Sequence, residues 1–162
     1  MQVAPEPASG TIVAAAVRKR SLPPADDQAA RFVRQREADR TSVAEDYVEL
    51  IADLLREDGE ARAVDLARRM GVSQATVTAT VGRLQRDGLV DTKPYRGLFL
   101  TPKGQALAEA ARRRHDLVVR FLLAIGLDPE TAEADAEGIE HHASEKALAA
   151  FARFLAEREE GR

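Results

Sequence analysis

Apolar residues recur three and four positions apart over most of the chain, in runs bounded by capping residues and glycines, and this period predicts a mainly α protein. The first stripe, Tyr47, Leu50, Ile51, Leu54 and Leu55, stands behind Ser42-Val43-Ala44-Glu45, a capping-box pattern that opens a helix at Ser42; Gly59 closes it. A short helix over residues 63–70, a turn through Gly71 and Val72, and a third helix capped by Ser73 and stopped by Gly88 make a helix-turn-helix. The period then shortens to two. Residues 89–92 and 98–100 flank the turn Pro94-Tyr95-Arg96-Gly97 and predict a hairpin, the wing of a winged helix. Thr101 and Pro102 cap a long helix to about residue 125, Asp128 and Pro129 repeat the device for one to about residue 142, and Ser144 opens a last helix.

Residues 1–40 hold no sustained period. They carry Pro5, Pro7, Pro23 and Pro24 and a mixed-charge stretch at 31–40, and they read as a mostly flexible arm in which residues 27–38 can form a short helix. Three segments are therefore expected: the arm at 1–40, a winged helix-turn-helix at 41–101, and, joined to it by the long helix, an all-helical domain at 102–162.

The 162 residues include no cysteine, which excludes disulfide scaffolds, thiolate metal sites and cysteine nucleophiles; any metal must be held by oxygen and imidazole nitrogen. The apolar run at residues 12–17 is too short to span a bilayer, and Arg18-Lys19-Arg20 follows it rather than precedes it, so neither a signal peptide nor a membrane anchor is expected and the placement is cytoplasmic. Net charge is −3 but unevenly spread: residues 62–114 carry eleven basic and four acidic side chains, whereas both 41–61 and 115–162 are acidic. A basic middle suits an anionic polymer, and acidic flanks suit cations.

Within the third helix Val77, Val81 and Leu84 share the inward face. Ser73, Gln74, Ala75, Thr76 and Thr78 are left near its exposed start, where short hydroxyl side chains and alanine approach base edges and glutamine pairs with adenine. Arg83, Lys93 and Arg96 can take phosphates, so double-stranded DNA is the expected partner. Winged helices also serve as protein-binding modules, and that reading stays open.

The three histidines lie in the last third of the chain, two of them in Glu137-Gly138-Ile139-Glu140-His141-His142. At 100° per residue Glu140 falls about 60° to one side of Glu137 and His141 about 40° to the other, while His142 swings about 140° away. Asp46 and Glu49 share a face of the first helix beside its apolar stripe, and His115 points inward from the long helix. Taken singly, His115 reads as a core histidine and the carboxylates as a solvated face. Jointly, four carboxylates and two imidazoles stand on three helices that must pack together, and buried without a cation these carboxylates would repel and take up protons. Such a donor set suits Mn²⁺ or Fe²⁺, and six residues can serve two ions. A carboxylate-histidine di-metal enzyme draws on the same residue types and is the alternative from a different class.

With these residues in place, the chain resembles the manganese transport regulator branch of the diphtheria toxin repressor family of metal-dependent transcriptional repressors, over about residues 41–158. The likeness rests on Glu45-Asp46-Tyr47-Val48-Glu49, on Tyr95-Arg96-Gly97-Leu98 before Leu100-Thr101, on Arg114-His115, and above all on Glu137 to His142. It implies a homodimer formed by the C-terminal helices, with two Mn²⁺ per protomer held by Asp46, Glu49, His115, Glu137, Glu140 and His141. It also implies a metal-activated repressor of manganese uptake genes that uses no organic cofactor and is not an enzyme. Iron-responsive members place methionine where Asp46 stands, and a glutamate where this chain has Val119; both departures point to manganese, with Fe²⁺ the alternative ion.

Overall fold

The computed structural model describes residues 22–93 and 97–160. In chain order these form α1 (Ala25–Glu57), α2 (Ala63–Met70), α3 (Gln74–Arg86), β1 (Val90–Lys93), β2 (Gly97–Leu100), α4 (Pro102–Ala124), α5 (Pro129–His142) and α6 (Glu145–Glu160). The chain separates into two units, residues 1–33 and 34–162. Of the first, the described stretch 22–33 includes the opening turns of α1 and exposes Leu22, Phe32 and Val33. Both apolar cores and the residues of the sites described below belong to the second.

The expected helix start at Ser42 is overturned: α1 begins at Ala25 and runs unbroken for 33 residues, through the stretch expected to form only a short helix. No glycine or proline interrupts this stretch, and ten of residues 25–40 are Ala, Arg or Gln, all good helix formers. A capping box acts only where the preceding chain leaves the helix. Here Thr41 Oγ1 donates to the Glu37 carbonyl one turn back, and Glu45 is engaged elsewhere. The other expected caps form. Ser73 Oγ accepts from the Thr76 amide at 3.1 Å, Thr101 Oγ1 from Gly104 at 3.1 Å, and Asp128 Oδ1 from Thr131 at 3.0 Å.

The wing pairs antiparallel with Val90 opposite Leu100, Asp91 opposite Phe99, Thr92 opposite Leu98 and Lys93 opposite Gly97. β1 starts one residue later than its apolar pattern suggests, because the Leu89 amide turns back to donate to Leu84 O and leaves only its carbonyl, which accepts from Thr101 N, to the strand pair. Leu98 N also donates to Ala61 O at 2.8 Å, adding a third, single-bridge strand. Gly97 makes that approach possible: its φ is +79°, and a Cβ would stand 2.5 Å from the Ala61 carbonyl oxygen.

One core gathers Tyr47, Val48, Ile51 and Leu54 of α1, Leu66 of α2, Val77, Val81 and Leu84 of α3, and Leu89, Val90 and Leu98 of the wing. A second, smaller core holds Val118 and Leu122 of α4, Ala132 and Ala136 of α5, and Leu148 of α6. Phe121 stacks on Phe151 beside it, with ring centroids 4.1 Å apart. α4 enters both, through Ala108 in the first and Val118 in the second, so the linking helix carries one rigid element between them.

Candidate metal centre and nucleic-acid interface

α1, α4 and α5 bring their polar faces together around a cavity of about 630 Å³, lined among others by Asp46, Glu49, His115, Glu137 and Glu140. Three of these, His115, Glu137 and Glu140, offer ligand atoms that all lie within 4.8 Å of one another. His115 Nδ1 is 2.9 Å from Glu140 Oε2 and 3.9 Å from Glu137 Oε1. On the other side of Glu140, His141 Nε2 lies 3.4 Å from Glu140 Oε1 and 2.9 Å from Asp46 Oδ1. Glu140 thus faces both imidazoles, and it is 3% exposed. His142 turns away, as the helical spacing requires, and its nearest carboxylate is Asp39 of α1 at 3.9 Å.

Two features argue that these side chains are short of positive charge. Glu140 Oε2 is buried and accepts no hydrogen bond among the described residues, although an imidazole nitrogen stands beside it. Burial also pushes the carboxyls of Asp46, Glu49 and Glu140 above their ordinary values, and the neighbouring carboxylates push the same way; Glu49 reaches about 7. The imidazoles feel the same field. Burial alone would lower His115 and His141, but the hydrogen bonds to Glu133 and Glu45 and the surrounding carboxylates raise both. Oxygen and imidazole donors at this density, with no sulfur, fit a divalent ion of the manganese or iron kind.

Spacing alone did not single out two carboxylates that hold the rings. Glu45 Oε2 is 2.8 Å from His141 Nδ1, and Glu133 Oε2 is 2.8 Å from His115 Nε2. Glu45, 5% exposed, is also paired with Arg114 of α4. Its place inside the helix could have been read from the absence of a breaker before Ser42; its partner, 96 residues away, could not. Asp53 of α1 pairs with Arg112 of α4 beside the same cavity.

On α3 the inward face is Val77, Val81 and Leu84, all buried, and Ser73, Gln74, Ala75, Thr76 and Thr78 are exposed near the helix start. Thr78 Oγ1 donates to the Gln74 carbonyl, and Ser73 Oγ lies 2.9 Å from Thr76 Oγ1, so all three of these hydroxyls are partly occupied at the helix start itself. Gln85 Nε2 donates to Thr92 Oγ1 and ties the helix to the wing. Arg83 is half-buried and lines a groove with Arg40, Asp87 and Lys103. The Lys93 side chain and all of Arg96 lie outside the described residues.

Residues 39–98 match the model of the iron dependent repressor N-terminal DNA binding domain, and residues 101–160 that of the iron dependent repressor metal binding and dimerisation domain. The chain is similar to the transcriptional regulator MntR of Escherichia coli O157:H7, 54% identical over 123 residues that cover 76% of this chain and 79% of that protein. It is also similar to the HTH-type transcriptional regulator MntR of Bacillus pumilus, 43% identical over 104 residues, 64% and 72% of the two chains. Among solved structures, the manganese regulator SloR superimposes with a TM-score of 0.62 at 31% identity, over 70% of this chain. A manganese-dependent transcriptional repressor in complex with manganese gives 0.61 at 31% identity, over 69% of this chain. The match spans about half of each of these two structures, 53% and 52%.

Proposed function

Because the chain belongs to the iron dependent repressor family, we propose that it is a manganese-responsive repressor that binds a DNA operator as a homodimer. It is a transcriptional regulator with a DNA-binding and a metal-binding and dimerisation domain, not an enzyme. Residues 41–101 and 102–162 make up these two domains, and Asp46, Glu49, His115, Glu137, Glu140 and His141 would hold two Mn²⁺ per protomer. The observation that carries it is Glu140, 3% exposed and set between two imidazoles, with His115 Nδ1 2.9 Å from one oxygen and His141 Nε2 3.4 Å from the other. When bound, the ions supply the positive charge that lets these carboxylates stay ionised in a half-buried site.

The residues then explain the response. Asp46 and Glu49 stand on α1, whose apolar face is part of the same core as α3. Glu137, Glu140 and His141 stand on α5, which belongs to the second core. Asp46 and Glu49 on one side and Glu137, Glu140 and His141 on the other would hold the ions between them, and the ions' charge would offset the repulsion among these carboxylates. That would fix α1 against α5 and the recognition helices of a dimer near the roughly 34 Å that successive major grooves demand. Ser73, Gln74, Ala75, Thr76 and Thr78 meet base edges, while Arg83, Lys93 and Arg96 take phosphates. Asp46 favours manganese over iron because its carboxylate is a hard oxygen donor.

The test is fluorescence anisotropy on DNA fragments, including the gene's own upstream region, at fixed salt with chelator, Mn²⁺, anaerobic Fe²⁺ or Zn²⁺. Tight binding with Mn²⁺ that chelator abolishes is the expected result. Equal binding with and without metal would leave the DNA-binding domain intact and remove the sensor.

A further inference from the structure

Each imidazole of the cluster presents one nitrogen to Glu140 and gives the other to a carboxylate outside the six expected ligands. The two outer carboxylates differ in kind. Glu133 is exposed, whereas Glu45 is buried and has both oxygens engaged: Oε2 with His141 Nδ1, and Oε1 with Arg114. Arg114 comes from α4 and His141 from α5, so Glu45 is fixed from two other helices. Adjacent residues on a helix diverge by about 100°. Glu45 and Asp46 therefore straddle the His141 ring, one at Nδ1 and the other at Nε2.

A carboxylate accepts but does not donate, so its hydrogen bond to Nδ1 requires the proton there and leaves the lone pair of a neutral imidazole on Nε2. We propose that Glu45, locked by Arg114, is a positioning residue for His141, selecting the tautomer and ring orientation that aim Nε2 between Asp46 and Glu140. This rests on the cluster being a metal centre. Glu45 touches no ion in this scheme; it acts through His141. A pair that merely braced three helices would influence stability without deciding which ring nitrogen binds.

The test uses the full chain labelled with ¹⁵N-histidine and loaded at pH 8 with Cd²⁺, a diamagnetic probe. Long-range ¹H–¹⁵N spectra are expected to show His141 with a proton on Nδ1 and the metal on Nε2. Glu45→Ala is expected to lower Cd²⁺ and Mn²⁺ affinity about 10- to 100-fold, the range for losing an outer partner of a ligating histidine, and to mix the two tautomers. Glu45→Gln, whose amide oxygen still accepts from Nδ1, should recover most of that loss. Metal on Nδ1 in the unsubstituted protein overturns the proposal, whether or not Glu45→Ala folds. So does Glu45→Ala with unchanged affinity and one tautomer. If Cd²⁺ shifts neither His115 nor His141, the metal-centre reading fails and takes this inference with it; if it shifts both but binds His141 through Nδ1, the role of Glu45 alone fails.

Discussion

The core around Ile51, Leu66, Val77 and Leu84 is buried and the junction around Glu140 is half-buried, and the two are held by opposite means. The first is built from apolar side chains and needs nothing from outside: each such residue removed from water stabilises by roughly 1.5–3 kcal/mol. The second buries carboxylates beside one another, and its titrations all lean toward taking up protons. A region of the first kind stands whether or not a ligand is present. One of the second kind is completed by a cation, and that difference is what lets a folded protein sense one.

The difference sets the order of effects. Ile51→Ala, in the apolar core, should cost about 2–5 kcal/mol of stability by leaving a cavity, and by the same amount with chelator as with Mn²⁺; paired denaturant melts measure it. Glu140→Ala should do the reverse. It should remove the metal-dependent gain in DNA affinity, of order 5- to 150-fold for ordinary coupling energies, while the chelated protein stays folded; anisotropy and circular dichroism read the two together. Ser73→Ala removes the N-cap of α3 and should cost about 1 kcal/mol irrespective of metal, seen as a lowered melting midpoint in both conditions.

The smallest effect is the most diagnostic. Glu49 titrates near 7 in the folded chain against an ordinary 4.5, so its contribution to stability is full below about pH 4.5 and is lost as pH rises through about 7. The raised His115, His141, Asp46 and Glu140 act in the same direction. Chelated protein should therefore lose thermal stability between pH 5 and 8, with Glu49→Gln flattening the slope, and Mn²⁺ should raise Tm more at pH 8 than at pH 6. A chelated protein whose Tm is flat over that interval would show that the two regions do not differ as described.

The local part of this organisation was legible in the sequence. Ser73, Thr101 and Asp128 cap the helices their patterns assign to them, because a cap is settled within one turn. The shared face of Glu137, Glu140 and His141 follows from helical period in the same way, and these residues do meet His115 and Asp46. Ser42 misled for the same locality: a capping box describes four residues, and whether it caps depends on the residues before it. Glu45, assigned to that box, instead spends both oxygens across the fold, on His141 and Arg114, and no spacing rule reaches over such separations.

Calorimetric titration of the chelated full chain with Mn²⁺ in two buffers of different ionisation enthalpy tests most directly whether the junction is completed by a cation. Uptake of about two ions per protomer with release of protons, abolished or halved by Glu140→Ala, is the expected result. No uptake of Mn²⁺, or uptake without proton release that Glu140→Ala leaves unchanged, would contradict it.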